Sequence, residues 1–136
     1  MLRIVRGDLA LFCRMNRKIL QDRTKQFNID IVLFCDCLPK TPAGFEIAKQ
    51  LIRSSGSVGA NYRATSRSKS QADFAHKLKI VLEEIDESHY WLEIIKATKL
   101  STNSIIDQLI AEANELTAIF TAANKTFDLK IKQTKQ

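Results

Sequence analysis

Turn-forming residues are scarce in this chain: four glycines and two prolines in 136 residues. Sandwiches and barrels need a turn signal roughly every 8 to 12 residues, so this scarcity argues against them and leaves long helices as the natural reading. Long hydrophobic runs are missing as well. The longest are about five residues, such as Leu9-Ala10-Leu11-Phe12-Cys13, against roughly 20 for a membrane-spanning helix. Arg3 and Arg6 ahead of that run imitate a secretory signal, but it is too short and stops at Arg14. No targeting or membrane-spanning segment is expected, and a soluble protein is.

Cysteine and histidine are few. Cys13, Cys35 and Cys37 are odd in number and share no repeated spacing, which fits a reduced, cytoplasmic setting better than a disulfide framework. Cys35 and Cys37 would project about 200° apart on a helix, poor geometry for a shared metal. His76 and His89 are distant in sequence from both. A Gly-rich phosphate loop and a Cys–His pair are also missing. Glu83, Glu84, Asp86 and Glu87 form an acidic cluster, but a metal site in a helix bundle needs a Glu-x-x-His on inward faces, and Glu84 to Glu87 lacks the histidine. The expectation is a protein without catalysis, cofactor, metal or small-molecule substrate.

What is present is a globular composition, 45% hydrophobic and 26% charged, enough apolar material for one domain with a core. From Asp22 onward Phe27, Ile31, Phe34 and Leu38 recur at spacings of 4, 3 and 4, the stripe of an amphipathic helix that Pro39 stops. Thr41-Pro42 is an N-cap followed by proline at the first helical position. The second helix carries Ile47, Leu51, Ser54, Val58 and Tyr62. Gly56 and Gly59 mark a loop by composition, since glycine costs about 1 kcal/mol against alanine within a helix. Periodicity running through them favours one continuous helix, bent near Gly56.

Ser70 with Asp73 three residues on is a cap with an acidic first turn. Phe74, Leu78, Val81, Ile85, Ser88, Leu92 and Ile95 then alternate spacings of 4 and 3, a coiled-coil seam. A second line places Ile80, Trp91 and Ile94 off that seam. A helix apolar on two sides is central or shared with another subunit, so these three are candidate oligomer contacts. Leu100-Ser101-Thr102-Asn103 separates a fourth helix bearing Ile106, Leu109, Ala113, Leu116, Phe120, Ala123 and Phe127. Short connections make an up-down-up-down antiparallel four-helix bundle. The expected boundaries are an N-terminal extension over 1–21, the bundle over 22–128 and a frayed polar tail over 129–136.

The net charge of +6 is unevenly placed. Lys49, Arg53, Arg63, Arg67, Lys69, Lys77 and Lys79 face Asp73 alone between positions 49 and 79, and the rest of the chain is neutral. On a helix turning about 100° per residue, Arg53, Arg63 and Arg67 fall within about 40° of Lys49, while Leu51, Val58 and Tyr62 fall at least about 140° away from it. Cations and core residues therefore take opposite sides of the second helix. Cations in a line neutralise successive phosphates without reading bases, which makes all seven candidate nucleic-acid contacts. The competing reading is that they pair with Glu83, Glu84, Asp86 and Glu87 of the third helix, within the bundle or between subunits. Tyr62 and Phe74 are the only aromatics in this stretch and lie on core lines, so base stacking is not indicated.

Thr24-Lys25-Gln26-Phe27, Leu38-Pro39-Lys40-Thr41-Pro42, Ser57-Val58-Gly59-Ala60-Asn61-Tyr62-Arg63-Ala64, Phe74-Ala75-His76-Lys77-Leu78 and Val81-Leu82-Glu83-Glu84-Ile85-Asp86-Glu87-Ser88 resemble the small bacterial four-helix bundle proteins labelled 23S ribosomal RNA intervening-sequence proteins. The resemblance runs from about Asp22 to Lys125. It implies a four-helix bundle that assembles as a ring, usually a pentamer; a similar protein is the nucleic-acid-binding accessory factor of diversity-generating retroelements. It implies no catalytic residues, and Arg53, Arg63, Arg67 and Lys77 match basic places in its pattern. That pattern begins near Met15, so Met1 to Arg14 reads as an addition ahead of a start at Met15. The expected function is binding of RNA or DNA backbone through the second helix, or else a structural adaptor that binds only protein and uses the cations in subunit contacts.

Overall fold

The computed structural model describes residues 17–135. Cys13, Met15 and the rest of the N-terminal extension up to Asn16 lie outside the described residues. Among the described residues four α-helices follow one another with no strand: α1 Arg17–Asp36, α2 Pro42–Ala64, α3 Gln71–Ala97 and α4 Ile105–Thr134. Consecutive helices pack closely, and of the neighbouring pairs that close the bundle α1 and α4 make the sparsest contact.

Helix α1 starts five residues ahead of the apolar pattern visible in sequence, because Leu20 and Thr24 extend the buried stripe toward the N-terminus. Thr24 breaks the hydrophobic pattern yet is fully buried, its hydroxyl donating to the Leu20 carbonyl at 2.8 Å. Helix α2 begins as its caps dictate: Pro42 occupies the first turn and Thr41 Oγ1 accepts from the Gly44 N–H at 3.1 Å. Gly44 leaves no alternative here, since a Cβ at that position would fall 2.0 Å from the Pro39 carbonyl oxygen.

Helix α2 is continuous through Gly56 and Gly59 as far as Ala64. The glycines face α1, where a Cβ on Gly59 would meet the Thr24 carbonyl at 3.4 Å and one on Gly56 the Asn28 amide at 3.6 Å. A 3₁₀ turn over Thr65–Arg67 then leads to α3. Ser70 caps α3, accepting from Asp73 N–H at 3.0 Å, while Asp73 reaches back to the Lys69 N–H at 2.9 Å. Helix α4 runs to Thr134, past the boundary at residue 128 that its polar tail suggests.

The core follows the sequence stripes. Phe27, Ile31, Leu51, Val58, Val81, Ile85, Leu92, Ile95, Leu116 and Phe120 are almost wholly shielded from solvent, each worth about 1.5–3 kcal/mol relative to exposure. Tyr62 meets Phe120 edge-on at 5.1 Å. Thr24, Ser54, Ser55, Thr65 and Ser88 bring polar groups into this interior, and Ser54 of α2 and Ser88 of α3 hydrogen-bond to each other at 2.8 Å.

Candidate nucleic-acid interface

In the 26 residues from Pro42 to Arg67, Lys49, Arg53, Arg63 and Arg67 stand against a single carboxylate, Glu46, which accepts from Gln50. The core positions Leu51, Ser54, Val58 and Tyr62 orient α2, so Lys49, Arg53 and Arg63 emerge on the exposed side. Lys49, Arg63, Arg67, Lys69 and Lys79 are exposed, and none forms an ion pair among the described residues.

Arg53 differs. Its guanidinium spans two carboxylates of α3, meeting Glu87 through Nη2 and Glu84 through Nη1, the latter at 3.3 Å from Oε2. The pair is outside hydrogen-bond geometry at that oxygen, which is buried without a hydrogen-bond partner, while Glu84 Oε1 accepts at 3.4 Å. The Arg53 hydrogen bond first, and the Trp91 N–H further, hold the Glu87 carboxyl below the usual range. Arg53 is thus the cation for which the competing reading, pairing with the acidic patch of the third helix, holds within one chain.

The remaining candidates separate. Lys77 is tied to Asp73 one turn earlier, at 2.5 Å, and that hydrogen bond is the main reason the Asp73 carboxyl lies below its usual range. Lys79 lies about 80° to 140° round α3 from Glu87 and Glu84, on the side away from α2. Arg67 belongs to the 3₁₀ turn, where about 120° per residue carries it roughly 60° from the position an uninterrupted α-helix would give. Among the described residues the free cations of the α2 face are therefore Lys49 and Arg63, with Arg67 and Lys69 continuing at the α2–α3 connection.

Sequence reasoning passed over Lys25. This residue of α1 is exposed and forms no ion pair among the described residues, and it lines a groove of about 360 Å³ together with Arg63, Gly56 and Gly59. The signal was available: α1 and α2 are antiparallel neighbours, and the close approach of Thr24 to Gly59 brings position 25 level with the α2 cations.

The candidate oligomer contacts Ile80, Trp91 and Ile94 are half-buried. Trp91 is largely committed to its own chain, packing on the core and donating to Glu87 at 3.3 Å. Larger exposed apolar groups occur on the back of α1, where Leu33, Ile29 and Val32 are 62%, 41% and 38% exposed. Asp30 interrupts them in sequence, which hid them behind the core stripe.

Cys35 is buried beneath α2, and burial pushes its thiol up to about 12, with Asp36 adding to the shift. Among the described residues no group of three or more His, Cys, Asp or Glu could hold a metal, and no helix is long and apolar enough to cross a membrane.

The sequence pattern of the 23S rRNA-intervening sequence proteins matches residues 17–122, from the first residue of α1 to the middle of α4. The chain belongs to that family. A solved member of the S23 ribosomal protein family, a protein of unknown function from Bacteroides thetaiotaomicron, is 30% identical, with 81% of this chain and 98% of that chain aligned at a TM-score of 0.74. No curated protein matches. The family match thus takes in α1, α2 and α3 whole, and with them every cation of the candidate interface.

Proposed function

We propose that this member of the 23S rRNA-intervening sequence family is a non-catalytic, cytoplasmic, ring-forming bundle that binds the backbone of RNA or DNA through α2. The observation that carries the reading is the imbalance on α2 and its 3₁₀ turn, four cations against Glu46, with Lys49, Arg63 and Arg67 unpaired among the described residues. Such a surface neutralises phosphates, releases counterions and gives salt-dependent binding of weak sequence preference. Lys25 extends it onto α1. The test is a salt titration of binding to a ribosomal RNA fragment by fluorescence anisotropy. Arg63→Ala with Arg67→Ala weakens binding and lowers the salt slope by about two, while light scattering shows the assembly unchanged. An unchanged slope overturns the reading.

A protein-only adaptor is favoured by the Arg53 clamp, which uses one cation of the stripe for internal contacts. The back of α1 and the Ile80–Trp91–Ile94 line of α3 are different apolar faces of one protomer. Contact between unlike faces is heterologous and closes into a ring where the rotation permits, such as the pentamer that the resemblance implies. Leu33→Glu then dissociates the ring. If Arg63→Ala and Arg67→Ala dissociate it too, the cations serve subunit contacts and the adaptor reading replaces nucleic-acid binding.

A further inference from the structure

The groove between α1 and α2 has a floor of small residues and walls of solvent-accessible polar side chains. Gly56 and Gly59 contribute nothing beyond backbone, and the helices approach there too closely for a large side chain to enter from α1. Around this floor stand Gln21, Lys25 and Asn28 of α1 and Arg63 of α2. None of these four side chains makes a hydrogen bond or ion pair among the described residues. The remaining polar wall is Asp22, whose carboxylate accepts from Lys18 at 2.8 Å and retains further acceptor capacity.

This donor and acceptor set is mixed in a way that phosphate alone does not require. Lys25 and Arg63 suit a phosphodiester oxygen. A carboxylate and two amide carbonyls have nothing to accept from in a DNA backbone, which carries no hydroxyl donor, and the carboxylate repels phosphate. A ribose 2′-hydroxyl both donates and accepts, and it is the group by which a protein distinguishes RNA from DNA. An amide such as Asn28 can serve both functions at once.

We propose that this groove is a ribose–phosphate site that makes the protein prefer RNA to DNA, with Lys25 and Arg63 on a phosphate and Asp22 and Asn28, about 9 Å apart along α1, on the 2′-hydroxyls to either side of it. The proposal rests on the nucleic-acid reading above and adds sugar selectivity to it. Lys49, about two and three turns from the glycines along α2, lies outside the groove and serves the backbone without regard to sugar.

The test uses fluorescent single strands of one sequence as RNA, DNA and 2′-O-methyl RNA, measured by anisotropy at one salt concentration. The wild-type chain binds RNA roughly five- to tenfold tighter than DNA, the effect of about one hydrogen bond, and 2′-O-methyl RNA falls to the DNA level. Asn28→Ala brings RNA affinity down toward the DNA level, and Gly56→Gln, which fills the groove from its floor, removes the preference while weakening both strands; circular dichroism checks that both remain helical. Lys49→Ala weakens RNA and DNA alike. Equal affinity of the wild type for RNA and DNA, RNA-like binding of the methylated strand, or a preference surviving Asn28→Ala overturns the groove and leaves backbone binding standing. Failure to bind any strand overturns both.

Discussion

Arg53 of α2 and Glu87 of α3 meet across the seam between the two helices, and Trp91 donates to the other oxygen of the same carboxylate. One carboxylate thereby holds a cation and an indole in register. The arrangement also withdraws Arg53 from the surface that Lys49, Arg63 and Arg67 share. As a half-exposed ion pair it stabilises the fold by no more than about 1 kcal/mol.

Releasing Arg53 is therefore expected to cost little stability and to add a phosphate contact. Glu84→Gln combined with Glu87→Gln removes two negative charges beside the stripe. RNA binding should tighten and its salt slope steepen by about one, measured by anisotropy. An unaltered slope would mean that Arg53 does not reach the bound strand.

Acid weakens the same pair. The Glu87 carboxyl is depressed from its ordinary 4.5 by Arg53 first and Trp91 also, and the Asp73 carboxyl from 3.8 by Lys77 first and the Lys69 N–H also. A carboxyl with a depressed folded value contributes stability above its ordinary value and loses it as pH falls through the folded one. Thermal midpoints should thus hold steady roughly between pH 5 and 8 and decline below that window. Glu87→Gln should make the decline shallower, and an identical decline in this variant would show that the pair plays no part in it.

The buried serine pair makes a separate prediction. Ser88→Ala deprives the Ser54 hydroxyl of its 2.8 Å partner and leaves it the Leu51 carbonyl at 3.2 Å, costing about 1 kcal/mol. Changing both serines to alanine should cost less than the two single changes summed, because no hydroxyl is then left buried without its cross-helix partner. A double-mutant cycle by urea denaturation measures this, and strict additivity would remove the coupling.

Two glycines of α2 should respond to alanine with opposite sign. At Gly44 the added Cβ lies 2.0 Å from the Pro39 carbonyl oxygen, a backbone atom that cannot move aside. Gly44→Ala should therefore cost about 2 kcal/mol or more. At Gly56 the nearest atoms are 3.6 Å away, ordinary contact, so helix propensity prevails and Gly56→Ala should stabilise by about 0.5–1 kcal/mol. Thermal melts of the two variants on either side of the wild type would bear this out.

The helices were readable from the sequence because apolar spacing records which face is buried. Phe27, Ile31 and Phe34, Leu51 and Val58, and Val81, Ile85 and Leu92 are all buried where their stripes place them. Thr24 escaped notice because it is polar and buried, satisfied by the turn before it. The candidate interface was legible only in part. That cations emerge opposite the core follows from α2 alone. Which of them find carboxylates depends on the register of α2 against α3, and no single-helix projection contains that. Arg67 moved for another reason, the tightening of the last turn into 3₁₀ geometry.

Chain neighbours are also the closest spatial neighbours in this bundle, while the α1–α4 seam that closes it is the sparsest and is bridged by Arg23 reaching Glu112 and Glu115. A topology of this kind has low contact order, for which folding within microseconds to milliseconds is expected. Formation of α1–α4 contacts brings together segments some 90 positions apart and carries the largest loop-closure entropy. That seam should be the last to form during folding and the first to open in hydrogen exchange.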